Sequence, residues 1–287
     1  MSNKNLLENI KKLRELTGVG FKDCKLAIDE NKGDLEKSIE FLRKKGIAKA
    51  SKKMSRTASE GLVLACVKGG EISIVEINSE TDFVAKNKDF ISFSKEISEI
   101  SFLSKGDLNK INSANMKNKI SVKNNLVDLI SKIGEKITLR RCKHFNKEKG
   151  ENFFYVHNPL EKNIGKIISV VKIANLNKNK NELGHQIAMH IAASSPLSID
   201  KDDLDKKIID KELEIIKAEI VNSGKKGEMV DKISNGKLNK FISENTLLNQ
   251  IWIMDPKKKV SDILKENSSD SKIKILEFTR YKVGEGV

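Results

Sequence analysis

The chain has 287 residues, 38% hydrophobic and 33% charged, with both signs interleaved along its length; this excludes a disordered single-sign tail and fits a folded protein of two or three compact units. Its formal charge of +14 invites a nucleic-acid reading, because lysine and arginine release counterions from phosphates. Yet the arginines are only Arg14, Arg43, Arg56, Arg140, Arg141 and Arg280, and aromatics are 5% of the chain, so bidentate phosphate recognition and base stacking are poorly supplied.

Leu6, Ile10, Leu13 and Leu16 recur at helical spacing and predict a first helix that stops at Thr17-Gly18-Val19-Gly20. A second helix is expected over residues 21–31 with Cys24, Ala27 and Ile28 inward, closed by Gly33. Asp34 can cap a third, carrying Leu35, Ile39 and Leu42. Residues 1–56 hold fifteen Lys and Arg against eight Asp and Glu, so about half the positive excess lies here. The basic, small-residue stretch 48–59 reads as a linker or an exposed helical extension.

At Gly61 the period changes to two. Leu62-Val63-Leu64-Ala65-Cys66-Val67 and Ile72-Ser73-Ile74-Val75-Glu76-Ile77, separated by Lys68-Gly69-Gly70, predict a hairpin. Thr81 or Asp82 can cap a following helix with Phe90, Phe93, Ile97 and Ile100 inward. Residues 104–125 are polar and poorly periodic, residues 126–133 read as helix and residues 137–142 as strand. A second round follows, with strands near residues 153–156 and 164–174 and a helix over 183–193, so the order predicts two related α+β units.

Leu204, Ile208, Leu213, Ile216 and Ile220, then Ser223-Gly224-Lys225-Lys226-Gly227, then Met229, Ile233, Leu238 and Phe241 predict an antiparallel helical hairpin inserted in the second unit. A last strand over residues 273–281 would rejoin the sheet.

Chemistry-bearing patterns are sparse. Cys24, Cys66 and Cys142 are too far apart for a CxxC site and odd in number for a disulfide framework. His185 and His190 are five apart on a predicted helix, about 140° around it, which favours packing over chelation. There is no GxxxxGK[ST], GxSxG, HExxH or strand-borne GxGxxG, so neither an enzyme nor a cofactor is expected. No run reaches the roughly 18 apolar residues of a membrane span, since residues 164–174 are interrupted by Lys166 and Lys172. With no apolar signal region and with Glu8 and Glu15 near the start, a cytoplasmic protein is expected. On capping mechanics alone, the segment Asn78-Ser79-Glu80-Thr81-Asp82-Phe83-Val84-Ala85-Lys86-Asn87 is an ordinary strand-to-helix junction, with Asp82 on amides and Phe83 in the core.

That segment, preceded by Leu13-Arg14-Glu15-Leu16-Thr17-Gly18-Val19-Gly20-Phe21-Lys22-Asp23-Cys24-Lys25, resembles the two signatures of the elongation factor Ts family. Ile133-Gly134-Glu135 with Arg140-Arg141, Ile187-Ala188-Met189-His190-Ile191-Ala192-Ala193-Ser194 and Val283-Gly284-Glu285-Gly286 extend the resemblance over nearly the whole chain. It implies an α+β fold with a ubiquitin-associated-like three-helix bundle in residues 1–56, core subdomains in 57–150 and 151–287, and a coiled-coil hairpin at about 204–250. It also implies a guanine-nucleotide exchange factor for elongation factor Tu, in its GDP-bound and nucleotide-free forms. Thr81, Asp82, Phe83 and Val84 would enter that GTPase near its Mg²⁺, with further contacts from Phe21, Lys22 and His157. Two methionines often stand in the family where this chain has Phe21 and Lys22, and the Asn158-Pro159-Leu160-Glu161 context after His157 departs from its pattern. Many members continue past the Val-Gly-Glu-Gly segment into a helical C-terminal module, whereas this sequence stops at Val287, so the resemblance implies no partner contact from that module. The competing reading is a basic RNA- or ribosome-binding protein, resting on the charge.

Overall fold

A computed structural model describes residues 3–177, 181–223, 228–269 and 271–287. The fold is α+β. Helices α1 (Asn3–Thr17), α2 (Phe21–Glu30) and α3 (Leu35–Lys53) form an N-terminal bundle closed over Ile10, Leu13, Cys24, Ala27, Ile28 and Leu42. The Asp34 carboxylate accepts from the Lys37 amide at 3.0 Å and caps α3 as expected. Two members of the predicted apolar stripes point the other way: Leu16 is 62% exposed and Ile39 is also exposed, because short helices bury only the positions that face their two neighbours. The stretch after residue 48 proves to be a helical extension, with α3 running on to Lys53 and Ala50 packing into the next core.

Strands β1 (Glu60–Lys68) and β2 (Glu71–Ser79) form the predicted hairpin, turning at Gly69-Gly70. Gly61, at φ +130°, permits the close approach of β1 to β2, since a Cβ there would stand 2.1 Å from the Ile77 carbonyl oxygen. The chain continues through α4 (Asp82–Ala85), α5 (Lys88–Leu103), α6 (Leu108–Ser113), α7 (Val122–Ile133) and β3 (Ile137–Phe145). The single helix expected after the hairpin is thus two, and the longer one is capped by Asn87, whose side chain accepts from the amides of Asp89 and Phe90 at 2.9 and 3.3 Å. The aperiodic stretch before residue 122 holds α6, a helix too short to show a period.

Next come β4 (Glu151–His157), β5 (Ile164–Gly165), β6 (Ile167–Ala174), α8 (Asn181–Ser194), α9 (Lys206–Asn222), α10 (Glu228–Asn245), α11 (Val260–Asn267) and β7 (Lys274–Lys282). The apolar run expected as one strand over residues 164–174 is divided at Lys166. Strand β5 pairs with β1 in a sheet of order β3-β2-β1-β5, while β6 is central in a second sheet of order β4-β6-β7.

The two sheets pack face to face. Val63, Ala65, Ile72 and Ile74 from the first meet Ile168, Val170 and Tyr281 from the second. Alternate residues on the same strands, Leu62, Leu64, Val75 and Ile77, face α5 and α7. On the far side, Val171 and Ile173 face α8 and α11. Helices therefore cover both outer faces, and this is why the hairpin strands read as almost unbroken apolar runs rather than as alternating ones.

Helices α9 and α10 pack on each other. The end of α10 returns to the residues preceding α9, where the Leu197 amide donates to the Asn245 carbonyl at 2.8 Å and the Leu247 amide to the Ser198 carbonyl at 2.9 Å. Ile216 and Ile220 are buried between the helices as predicted, whereas Ile208 and Met229 are exposed. The turn expected at residues 223–227 falls, after Ser223, outside the described residues. Among those described, no helix is long and apolar enough to cross a membrane.

Candidate partner-binding site

The junction between β2 and α5 is built from two anchors with an exposed tip between them. Strand β2 ends at Ser79, whose hydroxyl donates to the Thr81 carbonyl at 3.0 Å. Thr81 has the extended backbone of an N-cap (φ −125°, ψ 159°), but its side chain makes no capping bond to α4. Its amide and hydroxyl both donate instead to the Glu135 carboxylate, at 3.0 and 2.8 Å. Helix α4 is one turn long. Val84 and Ala85 turn inward and are buried against the sheet and α5, and the opposite side of the same turn carries Phe83, 79% exposed.

Capping mechanics had put Phe83 in the core and Asp82 on helix amides; neither holds. Val84 and Ala85 take the inward side of this single turn, which leaves Phe83 on the side that faces solvent. Asp82 is the first residue of α4 and pairs with Lys86 at 2.9 Å, one turn on. The Lys86 hydrogen bond holds the Asp82 carboxyl below its ordinary value. Val84 contributes to this segment from beneath, by fixing the turn.

Phe21 and Lys22 open α2 and are both exposed, Phe21 by 47%. Their turn is shaped by Gly18 at φ +66°, and the bundle is seated on the core through α3 and α7. Lys132 of α7 runs beneath Gly18, its Cε 2.8 Å from where a Cβ would lie, and its ammonium pairs with Asp89 at 2.9 Å. One lysine thereby brings the turn before Phe21 beside the first turn of α5, just after the Phe83 segment.

His157 is the exposed last residue of β4, with Nδ1 3.3 Å from the Tyr155 hydroxyl. The loop that follows it, Asn158, Pro159 and Leu160, lines an open cleft opposite Asp82, Ala85 and Lys86. The structure thus brings this loop to the Asp82 side of the junction, and the bundle to its Asp89 side.

Residues that sequence reasoning left without a role surround these. Glu80 accepts from the Lys136 amide and from the Arg56 guanidinium, the latter at 3.2 Å; burial would raise its carboxyl, but those two donors hold it below the ordinary value. Glu76, fully buried, binds Arg140, Arg141 and the Gly284 amide, at 2.9 Å for the first and last. Burial alone would raise this carboxyl too, and the Gly284 amide, Arg141, Asn78 and Arg140 together bring it below its usual range. The Arg140-Arg141 and Val283-Gly284-Glu285-Gly286 motifs are therefore one lock, tying the chain end to the first sheet. Gly284 is required there: its φ is +73° and a Cβ would stand 2.1 Å from the Ser59 carbonyl oxygen.

His190 is buried, stacked on Trp252 at 5.2 Å, with Nε2 3.0 Å from the Gln250 side-chain oxygen and Nδ1 accepting from the Ile253 amide at 3.4 Å. His185 lies edge-on to Phe153 at 5.4 Å. Neither histidine belongs to a metal-binding cluster, and no group of His, Cys, Asp and Glu suited to a metal occurs among the described residues. Cys66 and Cys142 have thiols pushed up to about 11 by burial, and all three cysteines are free.

Fold and site together define an α+β scaffold from which a one-turn helix projects Phe83 into solvent. The chain belongs to the elongation factor Ts family of translation factors: a family model described as elongation factor TS matches residues 80–285. Elongation factor Ts of Maricaulis maris is 41% identical over 285 residues, covering 97% of this chain and 91% of that protein. The proteins of the same name from Nitrobacter hamburgensis and Rickettsia felis are 40% and 38% identical over 283 residues, with 97% of this chain and 92% and 91% of theirs covered.

Proposed function

We propose that this chain is a guanine-nucleotide exchange factor for elongation factor Tu and works by intrusion of the Phe83 turn. The observation that carries the reading is an aromatic side chain held out in solvent by a turn whose next two residues, Val84 and Ala85, are buried; a flexible loop would lose much of its contact energy to ordering. In this account Asp82 and Phe83 displace the groups that hold the partner's Mg²⁺. Loss of that cation leaves phosphate charge uncompensated and GDP less tightly held. The bundle within residues 1–56 docks through Phe21 and Lys22. The cores in residues 57–150 and 151–287, with the hairpin near 204–250, supply the remaining contact, and His157 lies on its second part.

Linkage constrains the mechanism. If the factor weakens GDP binding, GDP weakens factor binding by the same factor, each tenfold corresponding to about 1.4 kcal/mol. The chain therefore acts by preferring the empty GTPase, and it neither binds nor hydrolyses nucleotide. Substoichiometric amounts should accelerate release of fluorescent GDP from elongation factor Tu without nucleotide hydrolysis. Release that stays at its spontaneous rate over a wide range of factor concentration refutes the proposal.

A further inference from the structure

The register of β2 with β3 runs to the pair Ser79 and Ile137. Continued by one step it would set Glu80 against Lys136, and by two steps Thr81 against Glu135. The backbones have parted there, β2 toward α4 and β3 back toward the α7 cap at Gly134 (φ +87°). Side chains take over the ladder's work. The Lys136 amide donates to the Glu80 carboxylate, and the Thr81 amide and hydroxyl donate to Glu135 at 3.0 and 2.8 Å. Each acid therefore holds the backbone of the residue beside the other. The end of α3 closes the arrangement: Arg56 pairs with Glu80 at 3.2 Å, the Lys136 ammonium donates to the Arg56 carbonyl at 2.7 Å, and the Lys53 ammonium donates to the Gly134 carbonyl.

We infer that Glu80 and Glu135 form a crossed carboxylate latch that positions the Phe83 turn, with Arg56 tying the bundle to it. As a claim about function it rests on the exchange reading above. A four-residue helix cannot sustain itself, because nucleation fixes several dihedrals for a single backbone bond. Val84 and Ala85 anchor the far end of this turn, and Thr81, bonded to Glu135 through both amide and hydroxyl, fixes its near end. Charge-assisted bonds to both the amide and the hydroxyl fix that residue in orientation as well as position. Glu80 and Glu135 are positioning residues; Phe83 makes the contact.

The test uses the full chain carrying Glu135→Gln or Glu135→Ala, with three readouts. These are thermal melting, hydrogen exchange of the free protein over residues 80–84, and GDP release from elongation factor Tu titrated to saturation. The alanine variant should keep a cooperative melt and exchange the Thr81 amide about 10-fold faster. Its maximal release rate should fall by about 10-fold or more, as small misplacements of a working group do, while the half-saturating concentration stays within about twofold, since docking surfaces are intact. Glutamine retains one acceptor oxygen and should fall between, a partial rescue that a merely structural residue would show in the melt instead. Unchanged hydrogen exchange overturns the latch. Faster hydrogen exchange with an undiminished maximal rate, or with only the half-saturating concentration raised, overturns its positioning role. Should the alanine variant fail to fold, the glutamine variant decides by the same readouts. A wild-type chain that leaves GDP release unchanged refutes the exchange reading, and hydrogen exchange still judges the latch.

Discussion

Truncation of Phe83 separates a contact residue from a core residue because the two roles give opposite patterns. Burying a phenylalanine side chain fully is worth about 1.5–3 kcal/mol. With 79% of Phe83 exposed, only about a fifth of that is realised in the free protein, so Phe83→Ala should cost about 0.3–0.6 kcal/mol of stability, against about 3–5 kcal/mol for a buried aromatic. If the partner buries the remainder, about 1.2–2.4 kcal/mol becomes available on contact, equivalent to about a 7- to 50-fold loss of exchange activity in the variant. Circular dichroism melts and stopped-flow release of fluorescent GDP from elongation factor Tu measure the two sides. Asp82→Ala removes only an exposed pair with Lys86, so its melt should also be near normal. Its smaller exchange defect should shrink further when Mg²⁺ is chelated beforehand, because a residue that dislodges an ion has less to contribute once the ion is gone. A Phe83→Ala protein that unfolds, or one with a normal melt and full exchange activity, refutes the reasoning.

Two further outcomes are expected. The double variant Phe21→Ala, Lys22→Ala alters exposed residues at the start of α2 and should raise the half-saturating concentration in the release assay while leaving the maximal rate and the melt unchanged; a fallen maximal rate at unchanged half-saturation would assign the bundle a part in exchange itself. His190 is held neutral chiefly by burial, which lowers its value below that of a free imidazole, the Gln250 bond acting in the opposite sense. Below the ordinary histidine value of about 6.5, the unfolded chain takes up a proton that the native state refuses. Stability from this residue is therefore full above that pH and declines as pH falls toward the native value. Melting temperatures between about pH 8 and pH 5 should decline less steeply for His190→Asn than for the wild type, and parallel profiles would refute the assignment.

Local patterns that report on a residue's own neighbours were legible in the chain alone. The hairpin of β1 and β2, the buried stripe of α5 and the Asp34 cap follow from periods and turn residues a few positions apart, and the family resemblance rests on contiguous motifs. What the chain could not specify depends on partners distant in sequence. Whether the apolar run around Ile164 and Ile168 is one strand or two was decided by which sheet each half meets, because both sheets accept β-branched residues. The exposure of Leu16 and Ile39 came from the geometry of three short helices, which leave part of every apolar stripe without a neighbour. Phe83 reads as a core residue in isolation; its exposure follows from Val84 and Ala85 claiming the inward side of a four-residue helix. Thr81 and Glu135 stand 54 residues apart, and Glu76 is 208 residues from Gly284. No period or spacing encodes such pairs, since a hydrogen bond depends on where two backbones are brought together, and that was settled by the packing of the two sheets and their helices.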